Sequence, residues 1–167
     1  MTTLHLGVVD IPYAQAMAAP ERRTARWKVK RPWPHQRFHT TITTGDVAEI
    51  LEARYGIARH FYDIHGQEIA DEVGEVMQGK LESLLMGGPL PSGDSLFEHG
   101  EMSKIEEMFR EMLDKRELDG VADGVPTRAA RRGVNHRLRH PYLRSNPARP
   151  SFIDTGLYSA NFRVWSD

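Results

Sequence analysis

Hydrophobic positions recur at helical intervals through the middle of this 167-residue chain. Apolar side chains return every three or four residues, which predicts two consecutive helices over residues 43–55 and 57–86. Thr43 and Asp46 have the spacing of a capping box at the start of the first helix, and Gly56 is suited to end it. The apolar stripe of the second helix comprises Ile57, Phe61, Ile64, Ile69, Val73, Val76, Met77, Leu81 and Leu84.

Three glycines lie inside the second predicted helix, at residues 66, 74 and 79. Each costs about 1 kcal/mol relative to alanine in a helix interior. Their presence predicts close packing against another backbone, or a break near Gly66.

A third helix is predicted from Ser103 to about Leu118, because Ser103 and Glu106 repeat the capping-box spacing. Its buried face consists of Ile105, Met108, Phe109 and Met112. One or two further helical turns are predicted at residues 127–132.

Strand-like patterns occur at both ends of the chain. Residues 4–13 are apolar and β-branched, and Pro12 ends this strand or places it at a sheet edge. Residues 160–165 predict a closing strand, and Gly156 before them fits a turn where a β-carbon would be penalised. Because chain ends usually fray, so apolar a terminus is expected to be bound into its own sheet or against a neighbouring copy.

These patterns predict an α+β fold with long helices packed on a small, mostly antiparallel sheet, and with extended basic arms. The length corresponds to a single domain over residues 1–167. Within it we distinguish three parts: a basic Trp- and Pro-containing arm or insertion (14–42), an acidic helical body (43–119), and an Arg-rich loop with the C-terminal strand (120–167).

The net charge of −1 conceals a strong segregation of charge along the chain. Residues 20–39 carry seven Arg or Lys and one acid, and residues 44–119 carry 18 acids and seven Arg or Lys. Residues 128–149 carry seven Arg and no acid. A basic, acidic, basic order bears on partners and assembly rather than on the fold.

Composition removes several classes of function. The chain has no Cys, which excludes disulfides and thiolate metal sites. No stretch approaches the roughly 20 apolar residues of a membrane span, so no membrane partner is predicted. The first residues lack a basic region followed by an apolar run, which predicts no signal peptide.

The sequence offers no catalytic constellation. The nucleophile elbow, the Walker loop and the dinucleotide fingerprint are missing. His60 and His65 are five residues apart, which puts their rings about 140° apart around a helix. His136 and His140 have the spacing of a metal pair, but the neighbouring arginines and Pro141 disfavour a cation. We therefore predict no enzyme and no catalytic, cofactor-binding or metal-binding residues.

The arginine-rich segments are the candidate partner-binding residues. Basic side chains interleaved with aromatic ones can bind a nucleic-acid backbone and stack on bases. They can equally form bidentate contacts with carboxylates, which the acidic helices of another copy would supply. Heterologous contacts of this kind close into rings. The charge segregation favours protein assembly. The alternatives are a merely solvated arm and nucleic-acid binding through residues 22–39 and 128–149.

Three stretches carry a family resemblance. They are His5-Leu-Gly-Val-Val-Asp-Ile-Pro-Tyr13, Thr43-Thr-Gly-Asp-Val-Ala-Glu-Ile-Leu-Glu52, and a C-terminal set with Gly124-Val-Pro-Thr-Arg128, Gly133-Val-Asn-His-Arg137, Pro141-Tyr142 and Arg149-Pro-Ser-Phe-Ile-Asp-Thr-Gly-Leu-Tyr-Ser-Ala-Asn-Phe162. They resemble the neck, tail-completion and minor tail components of tailed bacteriophages. The C-terminal set is the most specific of the three.

The resemblance implies a structural virion protein without catalysis or cofactors. Such subunits form rings at the head–tail junction or in the tail, and they join neighbouring rings. The implied partners are copies of the chain and other neck, connector or tail proteins, with possible proximity to packaged DNA. The implied location is the virion, and the host cytoplasm during assembly. Residues 15–41 depart from the family pattern as an insertion, whose expected role is to grip a neighbouring ring.

The predicted oligomer or partner interface combines the basic segments with the apolar C-terminal segment. It comprises Arg22, Arg23, Arg26, Trp27, Lys28, Lys30, Arg31, Trp33, Arg131, Arg132, Arg137, Arg139, Phe152, Thr155, Gly156, Leu157, Tyr158, Phe162 and Trp165.

Overall fold

The structure, a computed structural model, is α+β, as predicted. It describes residues 3–12, 42–89, 100–135, 139–140, 142–144 and 146–166. In chain order the elements are β1 (Leu4–Val8), α1 (Thr44–Tyr55), α2 (Ile57–Leu85), α3 (Ser103–Asp114), α4 (Arg128–Arg131), α5 (Leu157–Ala160) and β2 (Phe162–Ser166). The predicted arm at residues 14–42 lies outside the described residues, except for its last residue.

The two ends of the chain pair with each other. β1 and β2 form an antiparallel two-stranded sheet, in which Leu6 lies opposite Val164 and Val8 opposite Phe162. The apolar side chains of that face turn toward the helices, because successive residues of a strand point to opposite faces. The C-terminal segment is therefore bound into the chain's own sheet. The first strand ends at Val8, earlier than predicted, and Pro12 forms only an isolated bridge with Thr43.

The start of α1 has the capping box that its sequence predicts. The Thr43 hydroxyl accepts from the Asp46 N–H, and the Asp46 carboxylate accepts from the Thr43 N–H at 2.9 Å. Gly56 ends the helix in the left-handed region, with φ of 58°. The Glu52 carboxylate then accepts from the backbone N–H of Ala58 at 2.7 Å, so it caps the N-terminus of α2.

Buried Thr44 connects α1 to the N-terminal strand segment. Its backbone N–H donates to the Ile11 carbonyl at 2.9 Å, and its hydroxyl donates to the Val9 carbonyl. The same hydroxyl oxygen accepts from the Ile11 N–H at 2.8 Å. The residues on both sides of the segment 13–41 are thereby held together at one place.

The core lies where α2 and α3 meet the inner face of the sheet. Its centre is aromatic: Phe61, Phe109 and Phe162 are all buried. The buried cluster comprises Ile57, Phe61, Ile69, Met102, Ile105, Phe109, Met112, Leu113, Leu118, Ala122, Val125, Tyr158, Phe162 and Val164.

Two predictions about α2 are wrong. The helix runs unbroken through Gly66. Among the described residues, no heavy atom outside the local helix backbone lies within 4 Å of where a β-carbon of Gly74 or Gly79 would be. These glycines therefore do not mark close backbone packing. The predicted stripe is also only partly buried, because Ile64 and Met77 are exposed. Met77 lies about 140° around the helix from buried Glu72, which pairs with Lys104 at the start of α3, so α3 does not cover that side of α2.

The third helix differs from its prediction at both ends. Its N-cap is Met102, without a side-chain hydrogen bond, so the predicted Ser103–Glu106 capping box is absent. The helix ends at Asp114, and Arg116 lies in the left-handed region with φ of 61°. α4 begins as predicted, since the Thr127 hydroxyl accepts from the Ala130 N–H at 3.2 Å.

Candidate partner-binding surfaces

Nine predicted interface residues lie outside the described residues. Eight belong to the basic arm and the ninth is Arg137: Arg22, Arg23, Arg26, Trp27, Lys28, Lys30, Arg31, Trp33 and Arg137. The interface predicted for them stays a prediction.

The C-terminal part of the predicted interface divides by burial. Tyr158 and Phe162 are buried, and both rings contact Phe109 in the chain's own core. Burial raises the pKa of the Tyr158 hydroxyl far above its usual value, with a smaller contribution from the charge of Glu52. Phe152, Thr155, Gly156 and Leu157 are half-buried. Burial leaves the rings of Tyr158 and Phe162 no surface to offer a partner.

Trp165 is the exposed aromatic residue of the predicted C-terminal set. Its indole stacks on the His5 ring with centroids 5.5 Å apart. A β-carbon on Gly7 would come within 2.7 Å of the indole, so the ring lies directly over the backbone of β1. A shallow recess of about 290 Å³ beside it is lined by Val8, Val9, Arg163, Val164 and Trp165. Together with exposed Val9, the indole gives this end of the sheet an apolar surface.

The arginines of residues 128–144 form an exposed basic surface. Arg131, Arg132 and Arg139 belong to the predicted interface and all are exposed. Arg128 and Arg144 are exposed as well. No carboxylate among the described residues forms an ion pair with any of these five. Their charge is therefore available to a partner.

Two nearby arginines have structural roles. The Arg149 guanidinium donates to the carbonyls of Pro150 and Ile153 at 2.9 Å, and it also contacts the Val134 carbonyl. Arg116 donates to the Ala148 carbonyl at 3.0 Å. These contacts satisfy carbonyls of the irregular segment and hold it against the body, so composition alone does not separate anchoring arginines from available ones.

The C-terminal half of α2 presents an apolar surface that the sequence interpretation assigned to the core. Met77, Leu81 and Leu85 are exposed, and they lie four residues apart. On a helix this spacing places the three side chains within an arc of about 80°. We call these three residues the α2 seam. The same apolar periodicity predicts a core face and a partner face equally well, so sequence could not distinguish them.

The opposite side of α2 is tied to the start of α3 by ion pairs. Glu72 is buried, and its carboxylate contacts the Lys104 ammonium group, with Glu75 3.8 Å away from the same group. Further along, Lys80 pairs with Glu101 at 2.9 Å. These pairs fix α3 on the face of α2 that turns away from the seam.

His65 bridges α2 and the turn after α3. Its Nδ1 lies 3.0 Å from a Glu68 oxygen, and its Nε2 lies 2.7 Å from a Glu117 oxygen. Burial lowers the pKa of this imidazole, but the hydrogen bonds and charges of the two carboxylates outweigh burial and raise it above its ordinary value of 6.5. His60 takes no part in this cluster, so the two histidines do not form a pair.

An open cleft of about 590 Å³ lies at the α1–α2 junction. Arg54, Arg59, Asp63 and Asp123 contribute charged groups of both signs. Glu52 also lines it, although its carboxylate is occupied in capping α2. Within the described part of the chain, no group of three or more His, Asp or Glu side chains is arranged to hold a metal ion.

No protein-family model, curated protein or solved structure matches this chain. The exposed surfaces described above therefore carry the functional argument. None of the helices in the described ranges combines the length and the hydropathy that crossing a bilayer requires.

Proposed function

We propose that this chain is a structural virion subunit of a tailed bacteriophage that assembles with copies of itself into a ring at the head–tail junction or in the tail. In this role it contacts other neck, connector or tail proteins, and it has no catalytic function. The proposal also keeps the long helices and extended basic arms of the sequence prediction as the elements through which rings are joined.

The observation that carries the proposal is the presence of complementary exposed surfaces on one chain. The arginines of residues 128–144 are exposed without carboxylate partners among the described residues, while α2 carries exposed acids such as Asp71 and Glu82 beside an exposed apolar seam. Contacts between two different surfaces of identical subunits are heterologous, and they close into rings when the rotation permits. The C-terminal resemblance adds support for the virion.

The test is the location and copy number of the chain in intact particles. Tailed particles produced from the genome that encodes this chain should be purified and analysed by quantitative mass spectrometry and cryo-electron microscopy. We expect a fixed copy number per particle and a ring of these chains at the neck or in the tail. Absence of the chain from purified particles would contradict the virion assignment.

Nucleic-acid binding is the second candidate, and the exposed arginines at residues 128–144 favour it. Binding to phosphates releases counterions, so the affinity for DNA would fall steeply with salt. Replacing Arg131, Arg132 and Arg139 with Gln would then lower the salt slope by about one unit per arginine. Binding of the recombinant chain to duplex DNA, titrated at several salt concentrations, separates this candidate from protein assembly.

A further inference from the structure

The α2 seam consists of three exposed large apolar side chains on one helix. Met77 is 49% exposed, Leu81 58% and Leu85 79%, and Met86 beyond the helix end is 91% exposed. On a helical wheel the exposed acids Asp71 and Glu82 follow within about 60° of Leu85. An occupant of this seam would bury apolar surface and bring positive charge to its acidic side.

A second exposed feature has the complementary character. Tyr142 is 72% exposed and Leu143 is 49% exposed, and the exposed Arg139 and Arg144 lie on either side of them in sequence. We call residues 139–140 and 142–144 the Tyr–Leu loop. Its turn is held by backbone hydrogen bonds, since the Leu143 N–H donates to the His140 carbonyl at 3.3 Å. The Asn146 side chain donates to that same carbonyl at 3.0 Å.

We propose that the Tyr–Leu loop of one copy docks on the α2 seam of a neighbouring copy. Tyr142 and Leu143 cover the seam, while Arg139 and Arg144 approach Asp71 and Glu82. Arginine forms strong, charge-assisted contacts with carboxylates. Both surfaces are exposed on the same chain, so they do not satisfy each other within one molecule. The contact therefore joins two molecules.

Charge also argues against the simplest alternative, a two-fold pairing of two α2 seams. In an antiparallel pairing of this kind, Asp71 and Glu82 of one copy would lie on the same side as the same acids of the other. Like charges in close contact oppose association and help to exclude wrong partners. Joining a seam to a loop is instead a heterologous contact, in which every copy uses both surfaces and the assembly can close into a ring. The inference rests on the self-assembly in the proposed function and names the surfaces that form it.

Cysteine-based crosslinking tests this contact directly, because the natural chain has no cysteine. Leu81→Cys and Leu143→Cys should be made as separate chains with different affinity tags, mixed, and treated with a short bis-maleimide. We expect a covalent product that carries both tags. The matched control replaces Leu81→Cys with Ile50→Cys, which is 63% exposed on α1 and outside both surfaces. The control pair should give only background product.

Self-association in solution provides the second test of this contact. Leu81→Asp should weaken self-association at least about tenfold in light scattering, which corresponds to about 1.4 kcal/mol. Ile50→Asp should leave it unchanged. Arg139→Glu with Arg144→Glu should weaken it as well, and Asp71→Lys with Glu82→Lys in the partner chain should restore it. Circular dichroism melting confirms that each variant folds.

The outcomes separate the two proposals. If the chain self-associates but the Leu81–Leu143 pair crosslinks no better than the control, this contact is wrong and assembly stands. Crosslinking of Leu81→Cys to a cysteine at Val29 instead would assign the seam to the basic arm and overturn the loop as occupant. If Leu143→Asp loses DNA binding but keeps self-association, the loop is a nucleic-acid surface. Both proposals are overturned if the chain is monomeric in solution at every concentration and forms no assembly of several copies in purified particles.

Discussion

Phe109 of α3 and Phe162 of β2 are stacked at the centre of the core, with ring centroids 3.8 Å apart and planes within 10°. Both side chains are buried, and Phe61 of α2 meets each of them edge-on. The two edge-to-face pairs that Phe61 makes are worth about 0.5–1.5 kcal/mol each beyond the area that they bury. Strand β2 is therefore part of the core, because α2 and α3 both pack against its Phe162 side chain.

Replacing Phe162→Ala is expected to lower the free energy of unfolding by about 3–5 kcal/mol, because it leaves a cavity against Phe109 and Phe61. Chemical denaturation monitored by circular dichroism measures this. The matched control is Tyr62→Ala, an aromatic side chain on α2 that is 60% exposed. Its loss should stay within about 1 kcal/mol. Equal losses for the two variants would show that β2 does not contribute to the core.

Thr44→Val is expected to destabilise the chain by about 1–3 kcal/mol, since it removes the two hydrogen bonds that the buried Thr44 hydroxyl makes. The groups affected are the Ile11 N–H and the Val9 carbonyl, both bonded to the Thr44 hydroxyl. Thr44→Ser keeps the hydroxyl and should recover most of the stability. Hydrogen exchange of the Ile11 amide reports the bond locally. A slow-exchanging Ile11 amide in Thr44→Val would contradict this role.

The same glycine-to-alanine change should have opposite signs at two positions. Gly156 has φ of 76°, a left-handed conformation that costs a residue with a β-carbon about 1–2 kcal/mol. At Gly79, inside α2, an added β-carbon would meet no heavy atom of the described residues within 4 Å outside the local helix backbone, so alanine there should stabilise the chain by up to about 1 kcal/mol. Thermal melts of Gly156→Ala and Gly79→Ala should therefore shift in opposite directions. Shifts of the same sign would refute the assigned backbone conformations.

His65 makes part of the stability dependent on pH. Its pKa is lowered by burial but raised more by hydrogen bonds and charge from Glu68 and Glu117, so the folded state holds its proton more tightly. Lys115 carries the positive charge that interacts with the same two carboxylates. The stabilisation is fully present below the unfolded value of 6.5 and is lost as pH rises through the raised folded pKa.

His65→Gln should remove that part of the pH dependence. Urea unfolding just below pH 6.5 and at a pH well above it should show a larger loss of stability in the parent than in the variant. His60→Gln, on the same helix but outside the cluster, is the matched control and should behave as the parent does. A parent whose stability is flat or rises over this interval would contradict the bridge.

The limits of α1 could be predicted from the sequence because they depend on interactions between residues close together in the chain. Thr43, Asp46 and Gly56 mark the limits of α1 through hydrogen bonds and backbone conformation that depend on neighbouring residues alone. The same reasoning failed at Ser103, since Met102 caps α3 without a side-chain bond. The predicted close packing at Gly74 and Gly79 was also wrong, because whether a helical glycine contacts another backbone depends on which elements lie beside it.

The sequence by itself determined the mixed helical and strand content, the order of the elements, and the apolar character of the C-terminal end. Only the tertiary structure decided that β2 pairs with β1, that Arg149 anchors a loop while Arg131 is left exposed, and that Met77 lies on the surface. The physical reason is that periodicity states which side chains share a face, whereas burial depends on which other element reaches that face. Here the side of α2 that carries Met77 faces away from α3, and a partner can bind there.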